Sequence, residues 1–318
     1  MATYKESIGT AVTNVAGDPP APAIGQVWYN SSTGSFRIFK DSSSGAWATA
    51  NTLNNGRAFL ASAGTQTAAL AFGGKPPQAG KTESYNGTNW TNVNDMTTAK
   101  ELLAGCGTNT AALAFGGDLD PPQTNETESW NGSNWTEVSN LNNARARLGG
   151  CGTQTAALAF GGGGNVTNTE SWNGSSWTNV NTLNTGRRAG GAAGTQTAAL
   201  YYGGDPGLST TEKWNGSNWS SVNNMNNGRS LFGGAGTQTA ALAMGGLMPA
   251  ASPDQSALTE LYNGTNWSAI ASMNSGKEGS AGAGTSTAGL NFGAVLEPRG
   301  LTEEFTAPAP AIQTITTY

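Results

Sequence analysis

Six near-copies of one short stretch constrain this chain more than any other feature. The stretch reads Gly-Thr-Gln-Thr-Ala-Ala-Leu-Ala-Phe-Gly-Gly from Gly64 to Gly74, and close copies begin at Gly107, Gly152, Gly194, Gly236 and Gly284. Their spacings are 43, 45, 42, 42 and 48 residues, so the chain is an array of one supersecondary unit and is read unit by unit. A repeat that cannot bury its own faces must stack on its neighbours, which predicts one large body rather than several domains.

One complete unit, following Arg145, predicts four strands. The first covers 146–151 and the second 155–160, ending in Gly161-Gly162. The third is Thr169 to Trp172, and a tight turn at Asn173-Gly174 leads to the fourth, from Trp177. Asn-Gly between two strand-like runs is a strong hairpin signal. Composition agrees with short strands and many turns, because 46 of 318 residues are Gly and only 11% are charged, where a helical chain would carry far more Glu, Lys and Leu.

The unit resembles the kelch repeat. The double glycine stands at Gly73-Gly74, Gly116-Gly117, Gly161-Gly162, Gly203-Gly204 and Gly245-Gly246, weakened to Gly293-Ala294 in the last copy. A third-strand aromatic recurs at Tyr85, Trp130, Trp172, Trp214, Tyr262 and Phe305, and five residues later Trp90, Trp135, Trp177, Trp219 and Trp267 open the fourth strand. The resemblance covers about residues 45–306 and implies an all-β kelch-like β-propeller of four-stranded antiparallel blades. Counting units predicts six blades. The sixth reaches its third strand at Phe305 but has no fourth, while Trp47 opens a fourth strand that has no blade. An N-terminal strand completing the C-terminal blade closes the ring and removes its open edge. The alternative is seven blades, using the 26–39 hairpin and Gln313 to Tyr318 as further strands. The expected division is an extended, proline-rich docking segment over 1–24, the propeller over 25–306 and a C-terminal tail over 307–318.

Two polar positions recur in every unit. A basic residue lies seven positions before each Gly-Thr, at Arg57, Lys100, Arg145, Arg187, Arg229 and Lys277. A glutamate lies two positions before each third-strand aromatic, at Glu83, Glu128, Glu170, Glu212, Glu260 and Glu303. Repeated evenly through the array, these sets read as polar ties within or between blades, since a catalytic site needs an asymmetric constellation. Cys106 and Cys151 occupy equivalent positions in neighbouring units and read as small buried core residues.

In an up-and-down blade, the first-to-second and third-to-fourth turns open on one face of the disc. Here that face is built from nearly identical turns. The second-to-third loops and the blade connections open on the other face, and they differ in length and content. Variable loops on a rigid scaffold are where binding concentrates. The candidate partner-binding residues are therefore Lys75, Gln78, Asp118, Asp120, Asn165, Asp205, Leu247, Met248, Asp254 and Arg299, with the long apolar loop 247–258 first among them.

Several functions are disfavoured. With a net charge of −5 and no basic run, no nucleic-acid footprint is present. Residues 1–10 hold no apolar signal region and no window is long enough to cross a bilayer, so neither secretion nor membrane insertion is expected. Histidine is absent, which removes the usual ligands of a copper oxidase, and no calcium-loop spacing occurs, so neither metal nor cofactor is expected. Asn-X-Ser/Thr triplets such as Asn131-Gly-Ser sit in hairpin turns, where Asn and Gly serve the turn itself.

The N-terminal run Asp18-Pro-Pro-Ala-Pro-Ala, the segment Gly25 to Gly34 and the Gly-Thr-Gln-Thr-Ala repeats resemble the kelch-like propeller proteins of marine tailed bacteriophages. That resemblance implies a non-enzymatic virion component of tail, fibre or capsid. It would be made in the bacterial cytoplasm, bind other virion proteins and contact a host-surface glycan or protein through its variable face. The alternatives are a glycan-acting propeller enzyme, using carboxylates such as Glu101, Asp118, Asp120 or Glu137, and a kelch-type protein-binding adaptor.

Overall fold

A computed structural model describes residues 12–22, 25–41, 45–76, 80–249, 254–308 and 310–315. The chain is all β, with strands β1 to β28 in chain order among the described residues. They form seven four-stranded sheets, which corrects the expected count of six. The chain divides into two compact units, one of residues 47–306 and the other of residues 1–46 and 307–318.

The sheet missing from the repeat count lies in the second of these units. Its order is β1 (Thr13–Val15), β2 (Val27–Asn30), β3 (Ser35–Asp41) and β28 (Pro310–Thr314). The hairpin β2–β3 is the one expected over 26–39, and β28 pairs antiparallel with β3. β1 runs parallel to β2, a pairing that no hairpin pattern announces. The sheet escaped the count because it carries none of the repeat signature and draws strands from both ends of the chain. Asp18 accepts hydrogen bonds from the Trp28 indole (3.1 Å) and from Asn30 (2.8 Å), which ties the proline-rich run to the hairpin.

The unit of residues 47–306 holds the repeats. Five sheets are contiguous in sequence: β5–β8 (61–93), β9–β12 (104–138), β13–β16 (149–180), β17–β20 (191–222) and β21–β24 (233–270). The last has the order β25 (Ala281–Gly284), β26 (Ala288–Phe292), β27 (Thr302–Thr306) and β4 (Ala46–Ala50), so an N-terminal strand completes it. The first strands β5, β9, β13, β17, β21 and β25 neighbour one another in a closed cycle around a central channel of about 270 Å³. Ala and Gly dominate these strands because larger side chains would collide across the neighbouring sheets. A Cβ on Gly105, for example, would meet the Phe72 ring at 2.4 Å.

Aromatic packing holds the sheets together. Within a sheet Trp172 and Trp177 are cross-strand partners with ring centroids 5.3 Å apart, and between sheets Phe115 lies 5.0 Å from Trp177. Burying each large ring contributes roughly 1.5–3 kcal/mol. The indole N–H groups add a directional tie. Trp90, Trp135, Trp177, Trp219 and Trp267 donate to the threonine that opens the third strand of the preceding sheet: Thr302, Thr82, Thr127, Thr169 and Thr211. Trp47 differs, donating instead to the Ala271 carbonyl at 3.0 Å and leaving the Thr259 hydroxyl buried without a partner.

The recurrent basic and acidic residues are paired and almost wholly buried. Lys100–Glu128, Arg145–Glu170, Arg229–Glu260 and Lys277–Glu303 lie 3.0–3.2 Å apart, and Arg57–Glu83 and Arg187–Glu212 are also in contact. Each glutamate also accepts one or two backbone N–H groups from the connection before its own sheet, as Glu83 does from Asn54 and Asn55 and Glu170 from Asn142. Burial lowers the pKa of Arg57, Arg145, Arg229 and Lys277, opposed by the glutamate beside each. Cys106 and Cys151 are free and buried, and burial pushes the Cys106 thiol up to about 12.

Candidate functional site

The two faces of the repeat unit differ chemically. On the first, each Asn-Gly turn is closed by its own asparagine: the Asn131 side-chain oxygen accepts the N–H groups of Ser133 and Asn134, and Asn173 and Asn215 repeat the pattern. Glutamines of the Gly-Thr-Gln-Thr turns reach back to the preceding sheet, as Gln154 and Gln196 do to the carbonyls of Trp130 and Trp172. The asparagine side chains that supply these turns also account for the glycosylation-like triplets.

The second face is arranged around the mouth of the channel. The residue two positions after each recurrent basic residue has positive φ: Phe59 (57°), Leu102 (54°), Arg147 (56°), Ala189 (57°), Leu231 (55°) and Gly279 (68°). Their backbones form a closed ring. Leu102 N–H donates to Phe59 C=O, Arg147 to Leu102, Ala189 to Arg147, Leu231 to Ala189, Gly279 to Leu231 and Phe59 to Gly279, all at 2.7–2.8 Å. Side chains of this conformation are strained unless the residue is glycine, and six hydrogen bonds in a cycle hold them there. The ring residues line a depression of about 90 Å³.

Around the ring runs a second circle, in which the residue before each ring member bonds the residue after each double glycine. Ala58 exchanges hydrogen bonds with Lys75, Glu101 with Asp118 and Ser230 with Leu247, at 2.7–3.1 Å. Gly163, Asp205 and Val295 donate to Ala146, Arg188 and Glu278. The variable loops therefore start from this circle, close to the channel mouth.

The structure brings some candidate residues together. Lys75 reaches across to Glu101 of the next sheet at 2.7 Å, with its ammonium 6.0 Å from the Phe59 ring centroid. Asp118 bridges Glu101 through the backbone and accepts the Asp120 N–H at 3.0 Å, and Asp120 itself has φ of 64°. Glu101 is buried, 2% exposed, and one of its carboxylate oxygens has no hydrogen-bond partner. Burial raises its pKa, and Asp118 and Asp120 add to the rise while Lys75 opposes it. The Lys75 ammonium, far more exposed, has its pKa raised by the hydrogen bond to Glu101. Both values rise because the pair relieves the exposed partner more than it offsets desolvation of the buried one.

The remaining candidates sit apart in their own loops. Asp205 takes Arg188 at 2.6 Å, Arg299 holds Glu297 at 3.4 Å, and Asn165 is exposed with φ of 57°. Leu247 bridges Ser230 and Gln255, and Met248 N–H donates to Asp254 C=O, which pairs the described ends of loop 247–258. Gln78 lies outside the described residues. Among the described residues no group of three or more Cys, Asp or Glu side chains is placed to hold a metal ion, and no helix is long and apolar enough to cross a membrane.

Sequence reasoning missed the ring, and although it names Glu101 as a carboxylate of the glycan-acting alternative, it did not show that Glu101 is buried against Lys75. The first strand was expected over 146–151, whereas β13 is Gly149–Gly152, and residues 146–148 belong to the connection that bears Arg147. The available signal was the constant offset of two from each recurrent basic residue, obscured because five of the six positions are not glycine.

No protein-family profile matches the sequence, and no curated protein matches it. Among the solved structures that resemble this one is that of YjhT, with a TM-score of 0.68 and 10% sequence identity, covering 84% of this chain and 99% of that chain. At that identity the likeness shows the fold alone, a β-propeller-like arrangement.

Proposed function

We propose that the protein is a non-enzymatic binding scaffold that contacts another macromolecule through the face around the channel mouth. The observation that supports this is the contrast of faces. One face repeats the same self-satisfied turns, whereas the other changes in every sheet and centres on a depression lined by half-exposed Phe59, Leu102 and Leu231. Kelch-type character and placement on a phage virion are the finer part of this proposal, and they rest on the sequence resemblances alone. Immunogold labelling of particles purified from a producing host tests the placement. Gold on the particles is the expected result, and unlabelled particles beside labelled host lysate would remove it.

A second reading, a glycan-acting enzyme, has one observation in its favour. Glu101 is a buried carboxyl with a raised pKa beside Asp118 on the variable face, the environment a general acid requires. Hydrolysis of an aryl-glycoside panel, present in the wild type and lost in Glu101→Gln, would favour the enzyme over the scaffold. No turnover by either is the scaffold's expectation.

A further inference from the structure

The hydrogen-bonded ring consumes its own backbone donors, so recognition at the channel mouth falls to side chains. Of the residues lining the depression, Arg147 is the one with a basic side chain. Its guanidinium has no hydrogen bond or salt bridge among the described residues. Every other arginine there has a partner: Arg57, Arg145, Arg187 and Arg229 in the buried ties, Arg188 on Asp205, Arg299 on Glu297 and Arg37 on Ser35. A partly exposed guanidinium with no protein partner keeps its N–H donors available to a ligand.

The fold does not require this side chain. Equivalent ring positions hold Ala189 and Gly279, with the same sign of φ and the same hydrogen bonds. Glycine is the residue that this conformation favours, so an arginine is held there against local preference. Phe59, Leu102 and Leu231 line the same depression and give it an apolar surface. A guanidinium offers two parallel N–H groups matched to a carboxylate, and an apolar surface strengthens that contact by excluding water. The encircling residues include Lys75 and Arg188 against Glu101, Asp118, Asp205 and Glu278, and this acidic excess disfavours a doubly charged phosphate more than a singly charged carboxylate.

We propose that the channel mouth is a carboxylate-binding site, in which Arg147 takes the carboxylate and the surface of Phe59, Leu102 and Leu231 receives the apolar group next to it. This rests on the variable face being the contact surface, and it names the chemistry recognised there. The source is either a free hydrophobic acid or the terminal carboxylate of a peptide.

Titration calorimetry on the full chain tests it with N-acetyl-leucine, its neutral amide N-acetyl-leucinamide, and acetyl-Gly-Ala-Leu. The expected result is binding of the acid at least tenfold tighter than the amide. The tripeptide binds more tightly than the acid if the source is a peptide, and equally if it is a free acid, and either order upholds the site. Arg147→Gly is expected to melt no lower than the wild type and to lose acid binding at least tenfold. Lys213→Gln, which removes an exposed charge elsewhere, is expected to bind as the wild type does. Equal affinity for acid and amide, or undiminished acid binding by Arg147→Gly, would overturn the proposal, as would a large fall in that variant's melting temperature, which would make Arg147 structural. If wild type binds no acid while Arg147→Gly still attaches to its macromolecular partner, the carboxylate site falls and the contact face stands.

Discussion

At the scale of single residues, the buried charges give the most direct tests. Removing one member of a tie, as in Glu170→Ala, leaves the Arg145 guanidinium buried and unpaired. Urea unfolding is expected to show a loss of about 3–5 kcal/mol. A loss below about 1 kcal/mol would mean that water reaches the site. Glu101 behaves in the opposite sense. Its folded pKa lies above the ordinary 4.5, so its contribution to stability is fully present below that value and is lost as pH rises through the raised one. Glu101→Gln is therefore expected to melt with the wild type near pH 3.5 and higher than it, by about 1–3 °C, at pH 7.5. A variant that melts lower at pH 7.5 would show that the Lys75 pair outweighs burial.

At the scale of elements, the inner hairpins and the closing strand carry distinct costs. Gly64 turns with φ of 101°, and a Cβ there would stand 2.1 Å from the Ala68 carbonyl oxygen, a geometry that Gly107, Gly152, Gly194, Gly236 and Gly284 share. Gly64→Ala is expected to destabilise by about 1–3 kcal/mol in chemical denaturation, and a neutral result would show that the turn relaxes without loss. The closing strand β4 supplies Trp47, which lacks the indole-to-threonine bond made by the other five fourth-strand tryptophans. Truncation to Ala is expected to cost about 3–5 kcal/mol at Trp177 and about 1 kcal/mol less at Trp47. Equal losses would mean that the seam is as tight as the other interfaces.

The repeat's own elements were the legible part of the fold. Double glycines, Asn-Gly turns and paired aromatics act within about forty residues, so their spacing gives the four strands of each repeat, though not the start of the first, and leads Trp47 to the last sheet. The sheet β1-β2-β3-β28 was not legible, because its pairing joins chain ends and includes a parallel contact. The hydrogen-bonded ring was hidden for a different reason. Leu102, Arg147 and Leu231 follow strand-like patterns in sequence, and only closure of the cycle puts them at positive φ.

At the scale of the whole repeat unit, rigidity and variation are separated onto opposite faces. Inner strands neighbour one another in a closed cycle, the turns of one face are satisfied by their own side chains, and loops of the other begin from two concentric circles of backbone hydrogen bonds. Such an arrangement lets loops change without disturbing the core, since loop length itself has a small effect on stability. The most direct measurement is attachment of the fluorescently labelled chain to cells of its host, comparing two charge-matched double variants whose melting temperatures are shown to equal that of the wild type. Leu102→Asp with Leu231→Asp, on the channel-mouth face, is predicted to weaken attachment at least tenfold. Thr153→Asp with Thr195→Asp, on the repeated-turn face, is predicted to stay within twofold of the wild type. The reverse pattern would contradict the assignment of binding to the channel-mouth face.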